Sequence, residues 1–142
     1  MVADDLADYL STQGVGTAAT DLFVGTLPST VTQGIAIRET GGIFSAHTMG
    51  ASPSGIGSPK AKVERPRVQV FSRAATYATA RAKIQDCFNL LDGLQATTIN
   101  GVLYQWVAAV QSPIDLGLNA NFQAEWSCNF DVVKAVSTST TT

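Results

Sequence analysis

The residues able to do chemistry in this chain are few and scattered. His47 is the only histidine. It stands in a stretch of Gly, Ser, Pro and Ala with no second histidine or cysteine cluster beside it, so the spacing of a metal site is missing. Cys87 and Cys128 are the only cysteines. Both fall on faces that apolar spacing turns inward, where a thiol acts as a small core residue. Nucleophilic catalysis needs a base and an orienting group near a serine or cysteine, and no spacing supplies them. Gly55-Ile56-Gly57 lacks the glycine and lysine pattern of a phosphate loop, and no strand precedes it. The chain is therefore read as a non-enzyme: catalytic residues none, cofactor-binding residues none, metal ligands none.

Composition points to contacts instead. The 142 residues are 45% hydrophobic and only 14% charged, against about 25% charged in ordinary soluble domains. A surface so short of charge suits a protein covered by protein partners, although a small polar monomer fits it too. One domain is the natural expectation at this length. Net charge is −2, which gives no global attraction to nucleic acid. The charge is nevertheless uneven. Lys60, Lys62, Arg65, Arg67, Arg73, Arg81 and Lys83 crowd one span, while Asp4, Asp5, Asp8, Asp21, Asp115, Glu125 and Asp131 lie outside it. An ordinary solvated face is one reading; a subunit with a basic and an acidic side is the other. The second kind suits head-to-tail contacts, which close into rings when the rotation permits. Two cysteines make no disulfide framework. The acidic start lacks a signal pattern, and no apolar run reaches the roughly 20 residues of a membrane span.

Periodicity supplies the elements. Residues 3–13 read as a short helix with Leu6, Tyr9 and Leu10 on one side. Strands are expected at 21–26 and 34–40, joined as a hairpin across Pro28 and a polar turn. Residues 41–63 carry no usable period. They read as a long irregular loop, longer than the usual limit of about 12–15 residues, holding Phe44, His47, Met49 and Ile56. A third strand, 67–73, opens at Pro66. The helix from Thr76 to Asp92 is the clearest element: Tyr77, Ala80, Ile84, Cys87, Phe88 and Leu91 recur at three- and four-residue spacing. Thr76 fits the N-cap and Gly93 the position past the end.

After the helix, Asn100-Gly101 marks a tight hairpin turn. The strand that follows, 102–110, is expected to place Val102, Tyr104, Trp106, Ala108 and Val110 on one face, and Leu103, Val107 and Ala109 make the other nearly as apolar, so that both sides can be covered. Residues 115–121 read as a loop. The last strand alternates strictly, with Phe122, Ala124, Trp126, Cys128, Phe130 and Val132 on its buried side. The fold class that results is α+β, a mostly antiparallel sheet with two helices packed on one face. It forms a single domain over 1–136, followed by a flexible tail at 137–142.

An ordered set of short motifs then resembles a known family. The set is Glu39-Thr40-Gly41-Gly42, Glu64-Arg65-Pro66-Arg67-Val68-Gln69-Val70, Tyr77-Ala78-Thr79-Ala80-Arg81-Ala82-Lys83 leading to Leu91-Asp92-Gly93, Ile99-Asn100-Gly101-Val102-Leu103-Tyr104, Gln111-Ser112-Pro113-Ile114-Asp115-Leu116-Gly117, and Phe130-Asp131-Val132-Val133. In this order they resemble the minor capsid proteins that act as tail terminators in long-tailed phages, from the first helix to about residue 134. The resemblance implies a virion structural protein of the tail and neck, assembled in the host cytoplasm. It implies a hexameric ring at the head-proximal end of the tail tube, which stops tube growth and joins the tail to head-completion or connector proteins. Genomic DNA would pass through the lumen without sequence-specific binding. The resemblance brings no catalytic residues, no cofactor and no membrane. The chain departs from the family at Leu118-Asn119-Ala120-Asn121, where relatives are more charged, and in its apolar, Gly/Ser-rich 41–63 loop.

Two sets of contact residues follow. Phe44, His47, Met49 and Ile56 are expected on an arm that orders against a neighbouring ring. Arg65, Arg67, Arg73, Arg81 and Lys83 are expected to face Asp21, Asp115, Glu125 and Asp131 of the next subunit. Three other readings stay open at this point: another head- or tail-completion component, a nucleic-acid-binding module using the basic span, and a small enzyme on the same layer fold.

Overall fold

The computed structural model describes residues 2–17, 20–47 and 62–135. Helix α1 (Val2–Thr12) leads into strands β1 (Leu22–Val24), β2 (Gly34–His47) and β3 (Lys62–Ala74). Helix α2 (Tyr77–Leu91) follows, then β4 (Leu94–Ile99), β5 (Val102–Ala109), β6 (Ile114–Leu118) and β7 (Ala124–Ala135). The fold is α+β, with one curled, mostly antiparallel seven-stranded sheet ordered β1-β2-β3-β7-β5-β4, and β6 also paired to β7. Residues 137–142, expected as a tail, lie outside the described residues.

The two helices form where their apolar stripes fall. Val2, Ala3, Leu6, Ala7 and Leu10 bury one face of α1. Asp4 and Asp5 occupy its first turn, where the helix dipole favours negative charge. In α2 the side chain of Thr76 accepts a hydrogen bond from the Thr79 amide at 3.2 Å. The helix ends as the Asp92 amide donates to the Phe88 carbonyl at 2.9 Å, and Gly93 turns away with φ +86. Ala80, Ile84, Cys87 and Leu91 are buried, each large apolar one stabilising the fold by about 1.5–3 kcal/mol. They join one cluster with Ile35 and Ile37 of β2, Val68 and Val70 of β3, and Cys128, Phe130 and Val132 of β7. Ser72 of β3 donates to the Ala80 carbonyl at 3.0 Å and satisfies its own buried hydroxyl.

Several expectations are corrected. The 21–26 and 34–40 strands do not form a hairpin. They run parallel, with Leu22 opposite Ile35 and Val24 opposite Ile37. Gly25, at φ +97, ends β1 after three residues, so a short connection brings the chain back beside its start. The irregular loop expected from residue 41 does not begin there, because β2 runs on to His47 and pairs through to Lys62. Backbone pairing carried these Gly- and Ser-rich residues into the ladder without any side-chain period. Phe44 and His47 therefore lie on β2, while Met49 and Ile56 lie outside the described residues. Pro66 does not open β3 but sits inside it, opposite Gly42.

On β5 the expected alternation breaks. A register shift between Tyr104 and Trp106 puts Tyr104 and Val107 in the core and leaves Trp106 41% exposed. Val110, expected on the same face as Tyr104, is exposed as well. The expected 115–121 loop contains a strand, β6, paired antiparallel to β7. Phe122 does not join the core: it precedes β7 at φ +60 and is 77% exposed. Tyr77, on the expected core stripe of α2, is 57% exposed.

Candidate assembly surfaces

The side of β3 and β7 that alternates away from the buried cluster carries a polar ladder. Cross-strand register places Arg67 opposite Asp131, Gln69 opposite Asn129 and Arg73 opposite Glu125, and the two arginine–carboxylate pairs bond directly. The Arg67 Nε donates to Asp131 Oδ1 at 2.7 Å. This hydrogen bond and the carboxylate charge raise the Arg67 pKa further above its ordinary value. The Arg73 Nε donates to Glu125 Oε2 at 3.0 Å, and its Nη1 reaches the carbonyls of Pro28 at 3.1 Å and Val31 at 3.4 Å. Arg38 donates to Gln69 at 2.8 Å on the β2 side. A shallow cleft of about 210 Å³ lies here among Leu27, Ala36, Arg38, Phe71 and Arg73.

The nine charged residues expected at subunit boundaries are thus spread out. Four of them, Arg67, Asp131, Arg73 and Glu125, have their partner within the chain. Asp21 accepts from the Thr17 amide at 2.6 Å, and Asp115 from the Gly117 amide at 2.8 Å, closing a turn inside β6. Arg81 donates to Gln85 at 2.5 Å along α2. Lys83 is half-buried on the same helix, and Arg65 lines a groove at the far end of β7.

Arg81 also lies over the Trp126 ring, 5.1 Å from its centroid. Tyr77 meets the same ring edge-on at 5.3 Å. Beneath them the buried Trp126 Nε1 has no hydrogen-bond partner among the described residues. The cation and the two rings together have the composition that dominates protein interfaces.

The free flank of β6 is the other surface. All five of its residues are exposed, and Ile114, Leu116 and Leu118 with Phe122 make it apolar. An exposed apolar edge strand is a template for association. At the opposite end of β7 a groove of about 410 Å³ is lined by Val63, Arg65, Gln105, Trp106, Val132 and Val133 with Asp131. Sequence reading missed both. Phe122 and Trp106 each matched a period of two and so looked internal. The signal against Phe122 was the Asn119-Ala120-Asn121 run before it, which is turn chemistry.

Burial keeps two thiols and a phenol of the core in their protonated forms. Burial pushes the Cys87 thiol up to about 12 and the Cys128 thiol to about 11, far from the thiolate a nucleophile needs. Burial and the hydrogen bond to Asp5 likewise raise the Tyr104 phenol above its ordinary range. Among the described residues no group of three or more His, Cys, Asp or Glu could hold a metal ion. No helix there is long and apolar enough to cross a membrane.

Comparison with known proteins places this geometry. The family model for the bacteriophage tail terminator protein matches residues 9–135. A sequence search of curated proteins returns no match. Among solved structures, a chain from the virion of a native gene transfer agent particle has a similar fold. Its TM-score is 0.55 at 13% identity, over 96% of this chain and 98% of that one.

Proposed function

This chain belongs to the bacteriophage tail terminator family and is a structural protein of the virion tail and neck, and from that premise we propose that it ends tail-tube growth as a ring. Six copies close head to tail at the head-proximal end of the tube. They cover the surface that the next tube subunit would need and present a joining surface to the head-completion or connector proteins. Genomic DNA passes through the lumen without sequence-specific contact, and assembly takes place in the host cytoplasm. The two helices pack on one face of the sheet, leaving the other face and the edges for neighbours.

The observation that carries the ring is β6. An edge strand whose five residues are all exposed, and whose apolar side chains continue into Phe122, presents hydrocarbon and unpaired backbone of the kind that marks an association site. A chain with 14% charged residues does little to shield it. A neighbouring copy does. The paired Arg67–Asp131 and Arg73–Glu125 ladder supports a lumen or joining surface more than a phosphate-gripping one, because each guanidinium already faces a carboxylate. The outer part of the β2–β3 hairpin, with Phe44 and His47 on β2 and Met49 and Ile56 beyond it, is proposed to reach a neighbouring ring. Arg65, Arg81, Lys83, Asp21 and Asp115 are the proposed inter-subunit charges.

The test is co-assembly with purified tail tube protein. Tubes grown with this protein present are expected to stop and to carry a ring of six at one end in electron micrographs. Tubes of unchanged length, or protein scattered along their sides, would overturn the reading.

A further inference from the structure

The cleft beside β2, on the polar side of the sheet, holds one guanidinium whose charge meets no carboxylate. Arg38 donates through Nε to Gln69 Oε1 at 2.8 Å. Among the described residues it has no ion pair, and its two Nη groups have no acceptor. The charged groups around it are otherwise engaged. Arg73 bonds Glu125 and the carbonyls of Pro28 and Val31. Arg67 bonds Asp131, and Arg65 lines the groove further along β3. Glu39 follows Arg38 but stands opposite Val68, whose side chain is in the core, so alternation sends it to the other face. Asp21 accepts from the Thr17 amide. It precedes the Leu22–Ile35 pair, on the order of 13 Å along the ladder from Arg38.

The rest of the cleft is largely apolar. Buried Leu27 and Ala36 line it with Phe71, and the Arg73 guanidinium carbon lies 5.6 Å from the Phe71 ring centroid. Its volume of about 210 Å³ is below the roughly 300–1,000 Å³ of a small-molecule site. It is the size for a side chain or two of another protein. The bond to Gln69 holds the guanidinium in place before anything binds, which lowers the entropy lost on binding. A guanidinium with both Nη groups open takes a carboxylate with two parallel hydrogen bonds.

We infer that this cleft docks a carboxylate flanked by an apolar side chain, carried by the protein that joins this one in the virion. The apolar side chain packs among Leu27, Ala36 and Phe71 while the carboxylate takes the Arg38 Nη groups. Only the identity of the partner rests on the joining role proposed above. A DNA phosphate is the competing anion, and the cleft suits it less. Proteins that grip a nucleic-acid backbone neutralise several phosphates at once, whereas here one cation is open and Glu125 and Asp131 share its face. A phosphate backbone also brings no apolar group to Phe71.

The test follows amide resonances of isotope-labelled protein titrated with N-acetyl-leucyl-aspartyl amide. Saturable shifts are expected at Gly25, Thr26 and the Gln69 side-chain amide. The asparaginyl counterpart should bind about tenfold more weakly, since a hydrogen bond to a charged group is the stronger kind. Arg38→Gln should erase that difference while keeping circular dichroism and melting curve. Arg38→Lys, which keeps the charge without the fork, should fall between. Equal binding of the two peptides, an Arg38→Gln chain that still prefers the acid, or no shifts in the wild type overturns the site. A short DNA duplex that shifts the same residues at lower concentration assigns the cleft to phosphate and overturns the protein partner. Wild-type self-association that Arg38→Gln abolishes makes a second copy the occupant and overturns the joining partner too. Tube co-assembly reads the ring independently, so either result can fail alone.

Discussion

The Tyr104 hydroxyl on β5 donates to the Asp5 carboxylate on α1 at 2.5 Å, joining residues 99 apart in the chain. Asn100, in the hairpin turn, donates to Asp5 at 2.9 Å and to Asp8 at 2.8 Å. The first helix is thereby tied to the β4–β5 hairpin by one buried bond, Tyr104 to Asp5, flanked by the more exposed bonds of Asn100. Asp5→Ala leaves the Tyr104 hydroxyl unpaired in the core, which costs about 1–3 kcal/mol. Tyr104→Phe leaves Asp5 its Asn100 partner and should cost less. Urea denaturation of the two variants gives the order, and equal or reversed losses would contradict it.

The two arginine pairs should behave differently. Arg73 and Glu125 are largely buried, and Arg73 also holds the β1–β2 connection by two carbonyls. Arg73→Ala strands Glu125 and frees that connection, a loss of about 2 kcal/mol after allowing for residual solvent. Arg67 and Asp131 are each more than a third exposed. Arg67→Ala is expected to leave the denaturation midpoint within error, and adding salt should change it little.

Phe122→Gly should stabilise the isolated subunit. Relief of the left-handed backbone gains about 1–2 kcal/mol, the glycine's added chain entropy takes back about 0.5–1, and the exposed ring loses no burial. A rise in melting temperature with loss of oligomer is the expected pair of results; a fall would show that Phe122 supports its own fold.

Gly42→Ala should break the β2–β3 pairing. A β-carbon there would lie 2.2 Å from the Arg65 carbonyl oxygen and 2.7 Å from the Pro66 Cα, and backbone atoms cannot swing aside. The expected loss is about 2–3 kcal/mol, with faster amide exchange along β2 and β3 around Pro66. Unchanged exchange would contradict the contact.

Alkaline pH should weaken the fold through its thiols. Folding raises the Cys87 pKa to about 12, so the native state holds this proton more tightly than the unfolded one. The stabilisation is complete below the ordinary thiol pKa of about 8.5 and is lost as pH climbs towards 12. Cys87→Ala should flatten that decline in a series of urea midpoints, and a series unchanged by the substitution would refute the assignment.

Local pattern determined much of this protein. The stripes of α1 and α2, the Thr76 cap, the Asn100-Gly101 turn and the alternation of β7 depend on spacing along one segment, and each stands where its spacing put it except at Tyr77 of α2 and at Phe122 before β7, which are exposed. The ordered motifs likewise pointed to the tail terminator family. Tertiary structure decided the rest: the parallel partner of β1, the ladder that drew 41–47 into β2, the register shift that turned Trp106 outward, the exposure of Phe122, and the intrachain partners of Arg67 and Arg73. Those outcomes depend on what a second strand places opposite a residue. A period of two shows which side chains share a face, but only the paired strand fixes whether that face meets the core, a carboxylate or open water.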